Sequence, residues 1–152
     1  MQELPGQSLF QYHDADGRRQ EVTSGDVNDY LREISGDSFT AKDFRTWAGT
    51  VAAAMALEEL SEIDDEAGRK RAIVRAIETV AELLGNTPTV CRACYVHPDV
   101  LDAYLDGTFV AALAERARGI GRGVHALRPA EAAVLGLLQA RLARERRSRR
   151  AA

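Results

Sequence analysis

The sequence predicts a mainly α-helical (α+β) domain that opens with one short β-hairpin. Three observations predict it. Apolar residues recur at three- and four-residue spacing through most of the chain. Glycines and prolines interrupt those runs at the positions that helix ends favour. Turn-separated strand patterning is confined to about the first two dozen residues. At 152 residues and 45% apolar content, the chain has the material for a single core.

Ser8-Leu-Phe-Gln-Tyr-His13 and Gln20-Glu-Val-Thr23 flank the turn-rich Asp14-Ala-Asp-Gly17, so a hairpin is expected across 8–23. A short helix follows from Asp26 to Ile34 and stops at Gly36, with Val27, Tyr30, Leu31 and Ile34 on one face. Thr40 with Asp43 three residues on resembles a capping box. The helix it begins runs to about Leu60, with Phe44, Trp47, Val51 and Met55 toward the core and Lys42, Arg45 and Gly49 on another face. Asp64-Asp-Glu begins the next helix, its acids suited to the positive end of the helix dipole, and Gly85 ends it. Its stripe is Ile73, Ile77, Val80, Ala81 and Leu84. Thr87-Pro88 is an N-cap followed by proline at the first helical position, and it starts a short helix carrying Cys91, Cys94 and Tyr95. Pro98 starts another, through about Leu105. Gly119, Gly121 and Gly123 mark a flexible connection that closes a helical core spanning 26–126. A basic C-terminal helix is expected over 129–150, with Ala133, Val134, Leu137, Leu138 and Leu142 along one side.

Several classes are set aside by composition. No window approaches the ~18 uninterrupted apolar residues of a membrane span. Met1-Gln-Glu-Leu-Pro-Gly-Gln7 lacks the charged and apolar regions of a signal peptide, so a cytoplasmic chain is expected. The net charge of −3 argues against a nucleic-acid partner only while its distribution is ignored. Glu58 to Glu66 holds six acids, whereas Arg141, Arg144, Arg146, Arg147, Arg149 and Arg150 face a single Glu145. Such a basic end either lies along phosphates or is a solvated tail.

Arg45, Asn86 and Tyr95 are the residues to weigh as chemistry. Cleavage of a phosphodiester concentrates negative charge on non-bridging oxygens, and the planar arginine fork matches them best. An amide such as Asn86 can add a neutral hydrogen bond. Tyrosine can attack phosphorus if cations such as Arg45 or Arg92 stabilise the phenolate as it forms. Each residue also has an ordinary reading: Tyr95 as packed, Arg45 as the ion-pair partner of Asp43 or Glu33, and Asn86 as part of a helix C-cap.

Four blocks in order tip that balance. Ser24-Gly-Asp-Val-Asn-Asp-Tyr-Leu-Arg-Glu-Ile34, Phe39-Thr-Ala-Lys-Asp-Phe-Arg-Thr-Trp-Ala-Gly-Thr50, Leu84-Gly-Asn-Thr-Pro88 and Val90-Cys-Arg-Ala-Cys-Tyr-Val-His-Pro98 resemble successive blocks of bacterial and poxvirus-type DNA topoisomerases of type IB. The resemblance covers about Leu4 to Phe109 and, more loosely, the C-terminal helix. It implies the catalytic fold shared with tyrosine recombinases and duplex DNA as partner. Tyr95 becomes the nucleophile, while Arg45 and Asn86, nine residues before Tyr95, hold the scissile phosphate. Lys42 becomes an auxiliary phosphate contact, with Arg92 and His97 as neighbouring DNA contacts. A 3′-phosphotyrosine conserves the bond energy, so no cofactor is expected: neither ATP nor a metal.

The resemblance also sets expectations about what is missing. An Arg and a general-acid Lys stand upstream of the family's Leu-Pro-Gly block, and this chain starts at that block. Loss of the acid would slow cleavage by a factor on the order of 10²–10⁴. The chain is therefore expected to be a monomeric, nucleoid-associated C-terminal catalytic fragment, slow or inactive alone, with a separately encoded N-terminal segment as a candidate partner. A non-catalytic DNA-binding module and a tyrosine recombinase fragment are the alternatives. Against the recombinase, Lys42-x-x-Arg45 stands where that class places His-x-x-Arg. Cys91-Arg-Ala-Cys94 makes no zinc site, because no second cysteine pair exists and His97 alone does not complete four ligands.

Overall fold

The structure, a computed structural model, describes residues 10–117 and 127–151. The glycine-rich connection at Gly119, Gly121 and Gly123 lies outside the described residues. Among those residues run one antiparallel hairpin and seven helices, the mainly helical class that the sequence led us to expect. The chain parts into two compact units, Met1–Phe44 and Arg45–Ala152.

In the first unit, β1 (Gln11–His13) pairs with β2 (Arg19–Glu21), placing Tyr12 opposite Gln20. Asp14 organises the turn. Its carboxylate accepts from the Gln20 amide and from the Arg18 and Asp16 N–H groups, and these bonds hold it below the ordinary carboxylate value. Gly17 completes the turn at φ 75°. Helix α1 (Ser24–Ser35) starts two residues earlier than expected because Thr23 and Asp26 form a full capping box, and Gly36 ends it in the left-handed conformation. No α1 residue is buried. The Asn28 side chain accepts from the Ala41 N–H, which fixes the start of α2 (Ala41–Glu58) within this unit. At that start, Thr40 donates to Asp43 through both its N–H and its hydroxyl. Phe44, expected in the core, is 55% exposed. It is the last residue of this unit, and its helical spacing with Trp47 continues past the point where the second unit's core begins.

The second unit holds the core. Ala53, Ala54 and Leu57 of α2 share one buried cluster with Ala72, Ile73, Ala76, Ile77 and Val80 of α3 (Glu66–Leu84). Asp65 caps α3 by accepting from the Gly68 N–H. Helices α4 (Pro88–Cys94) and α5 (Pro98–Leu105) follow, each with proline at its start. Arg69 ties the α2–α3 turn to the end of α5, donating to the carbonyls of Ile63, Asp64 and Leu105. Tyr104 donates to the Leu60 carbonyl at 2.6 Å and packs edge-on against Phe109, and its burial raises the phenol above its usual value. Phe109 opens α6 (Phe109–Ala117), a helix that the sequence reading did not anticipate. Helix α7 (Pro129–Ala151) buries Ala133, Val134 and Leu137. Leu142, assigned to the same apolar side, is 46% exposed because it lies beyond the packed half of the helix. No helix among the described residues is long and apolar enough to cross a membrane.

One ion pair joins α7 to the α5–α6 turn: Arg141 donates to Asp106 at 2.8 Å. Burial pushes the Asp106 carboxyl up, but bonds from Thr108 and Arg141 outweigh it, so the group lies below its ordinary 3.8. The same hydrogen bond raises Arg141. A depressed carboxylate contributes stability that is complete above its unfolded pKa and lost as pH falls through the folded one. The contribution of the raised arginine is complete at neutral pH and is lost only at extreme alkaline pH. Because Asp106 is nearly half exposed, Asp106→Asn should cost only about 0.2–1 kcal/mol at neutral pH. In chemical denaturation, the gap from the wild type should narrow as pH drops below about 3.8.

Candidate active site

Helix α3 ends in a way that exposes an acceptor. Gly85 closes it at φ 63° and turns its N–H to the Ala81 and Glu82 carbonyls, while the Asn86 N–H bonds Ala81 at 3.0 Å. The Leu84 carbonyl, among the last that a helix leaves unpaired, is not used by this cap. Two side chains take it. Arg45 Nη2 donates to Leu84 O at 2.8 Å, and Asn86 Nδ2 donates to the same atom at 3.1 Å. The structure thus brings Arg45 and Asn86 to one oxygen, although they are far apart in sequence.

Tyr95 joins them. It is the C-cap of α4, its N–H bonding Cys91 O at 2.9 Å, and its ring lies under the Arg45 guanidinium with 5.1 Å between Cζ and the centroid. That distance is within cation–π range. Arg45 is therefore held from two sides, by a carbonyl and by a ring, rather than by the acidic partner considered from sequence. Its Nε is buried without a partner among the described residues.

One face of α2 carries the segment that holds Tyr95. The Thr46 hydroxyl donates to Cys94 O at 3.3 Å. One turn on, Thr50 (2% exposed) donates to Thr46 O and accepts from the His97 N–H at 3.1 Å. Between them, a Cβ on Gly49 would lie 2.5 Å from the Tyr95 carbonyl oxygen. Glycine is needed there for close backbone approach, with no left-handed φ involved. Sequence reasoning placed Gly49 on the Arg45 face but missed its role, and it missed Thr46 and Thr50 altogether. A glycine one turn after Arg45, between two threonines one turn apart, was the available signal.

The remaining candidates lie on α2, on α4 and at the cap of α5. Lys42 is exposed on the first turn of α2, in the first unit. Arg92 is exposed on the last turn of α4. His97 caps α5: its Nδ1 accepts from the Asp99 N–H at 3.3 Å, which places the proton of the neutral ring on Nε2. Cys91 is buried in the core and Cys94 is exposed.

What this fold and donor set define is a helical core able to hold an oxyanion against a phenol. Residues 1–112, which include Arg45, Asn86 and Tyr95, match the family model described as the catalytic core of eukaryotic DNA topoisomerase I. "DNA topoisomerase 1B" of Acanthamoeba polyphaga mimivirus is 34% identical over 113 residues, covering 68% of this chain and 33% of the viral protein. The chain belongs to the DNA topoisomerase I catalytic-core family. It spans about a third of the length of the viral relative.

Proposed function

We propose that this chain is the tyrosine-bearing part of a type IB DNA topoisomerase, acting on duplex DNA. Tyr95 Oη attacks a backbone phosphorus, the P–O5′ bond breaks, and a 3′-phosphotyrosine forms while the 5′-oxygen takes a proton. Reversal of these steps after the duplex swivels reseals the strand. The observation that carries the reading is the convergence of Arg45 and Asn86 on one oxygen beside the Tyr95 ring. The Leu84 carbonyl is the kind of acceptor a non-bridging phosphate oxygen provides, and the guanidinium over the ring supports the developing phenolate. No Lys of an Arg-Gly-Lys segment precedes Leu4-Pro-Gly6 within these 152 residues. The proton for the 5′-oxygen comes from a donor other than Arg45, Asn86 and Tyr95.

The test is a covalent trap. The chain is incubated with nicked and supercoiled DNA in the presence of a metal chelator and without ATP, then quenched with denaturant. A slow adduct that disappears in Tyr95→Phe is expected, and it should accelerate when the upstream segment of a longer relative is added. An adduct that survives Tyr95→Phe would remove Tyr95 from the reaction. Duplex binding with no adduct, even with that segment present, would reduce the chain to a DNA-binding module.

A further inference from the structure

Helix α7 lies wholly beyond the residues that match the family core, which end at 112. Its two halves differ. The first is packed through Ala133, Val134 and Leu137, and Arg141 is pinned to Asp106 at its midpoint. After Arg141 the described side chains are all exposed, yet the helix continues to Ala151. This second half carries Arg144, Arg146, Arg147, Arg149 and Arg150 against Glu145 alone.

Like charges dominate this half, with Glu145 to offset five arginines. Arg146 and Arg150 are four apart and Arg147 and Arg150 three apart, spacings at which like charges repel on a helix. Glu145, four residues before Arg149, and the negative C-terminal end of the helix dipole offset this in part, the dipole over the last turn. Arg146, Arg147 and Arg150 line one shallow surface together with Gln139, Leu142 and Ala143. Leu142 is the sole large apolar side chain after Arg141, so this half has no apolar face to insert into a lipid surface. Arg146 to Arg150 rises about 6 Å along the helix, comparable to two base-pair steps of one DNA strand at about 3.4 Å each.

We propose that the Arg146–Arg147–Arg150 face of α7 seats the phosphate backbone of duplex DNA, as a contact separate from the Arg45–Asn86–Tyr95 cluster. Charge complementarity selects the partner: closely spaced arginines with no apolar face suit a regular polyanion. The contact positions DNA without reading bases. It rests on duplex DNA being the partner of the proposed function.

The experiment measures affinity of the full chain for a short labelled duplex across a KCl series. The double variant Arg146→Gln/Arg150→Gln is compared with the charge-matched Arg71→Gln/Arg75→Gln on α3, and circular dichroism checks that both fold. The α7 variant should flatten the slope of log K against log salt by about 1.8, since each neutralised phosphate contributes about 0.9. The α3 variant should keep the wild-type slope. An unchanged slope in the α7 variant, or an equal change in both, would overturn the inference. So would binding to anionic vesicles that the α7 substitutions abolish while the duplex slope stays the same. A Tyr95-dependent adduct with an unchanged α7 slope defeats this inference alone. An α7-dependent slope with no adduct, even with the upstream segment added, defeats the proposed reaction alone.

Discussion

Gly49→Ala should destabilise the protein by about 1–3 kcal/mol, the range for adding a methyl group to a packed interior. It should also slow adduct formation on the order of 10²-fold, because displacement of a reacting group by about 1 Å costs that much. Both effects have one origin. The new carbon would sit 2.5 Å from the Tyr95 carbonyl oxygen, a backbone atom that cannot rotate away, and 3.2 Å from Leu84 Cδ1, which can. The relief available is for segment 94–97 to move off α2. That motion stretches the bonds from Thr46 to Cys94 O and from His97 N–H to Thr50, and it carries the Tyr95 ring away from Arg45. Ala48→Ser, at the exposed neighbouring position, should stay within about 0.5 kcal/mol of the wild type and react normally. Thermal melting and the covalent trap measure the pair. A Gly49→Ala protein that melts and reacts like the wild type would mean that the close approach of α2 does not place the tyrosine.

Much of the scaffold around this site was legible because its boundaries are set by local chemistry. Gly36 and Gly85 both adopt the left-handed cap conformation that their place after an apolar run foretold, and Pro88 and Pro98 both start helices. Helix α6 was missed for the converse reason. Its start is written in Asp106-Gly-Thr108, where Asp106 accepts from Thr108 and Gly107 turns at φ 75°, and no proline or long polar break separates it from α5. Phe44 and Leu142 expose the limit of periodicity: it reports which face a residue occupies, and it is silent about whether anything packs there. The site divides in the same way. Arg45, Asn86 and Tyr95 were nameable from residue type and family blocks. The Leu84 carbonyl that two of them share was not, since a backbone acceptor has no side-chain signature.

Arg45→Ala should separate rate from stability more cleanly than any other substitution in the cluster. Covalent adduct formation should fall by a factor on the order of 10²–10³, the usual effect of removing one preorganised donor from a developing oxyanion. Stability should change by only about 0.5–1.5 kcal/mol, the net worth of an ordinary hydrogen bond. The loss is small because the Leu84 carbonyl keeps its bond from Asn86, and because truncation also removes the buried, unpartnered Nε. Arg45→Lys should restore stability better than it restores rate. An ammonium keeps the charge but has no planar fork, so it cannot hold Leu84 O, cover the Tyr95 ring and present two further N–H groups to a phosphate at once. Single-turnover trapping beside urea denaturation distinguishes the cases. If Lys at 45 reacted as fast as Arg, a positive charge near Tyr95 would suffice and the fork geometry would be irrelevant. If Ala at 45 lost stability and rate in proportion, Arg45 would be a strut of the α2–α3 packing rather than a phosphate ligand.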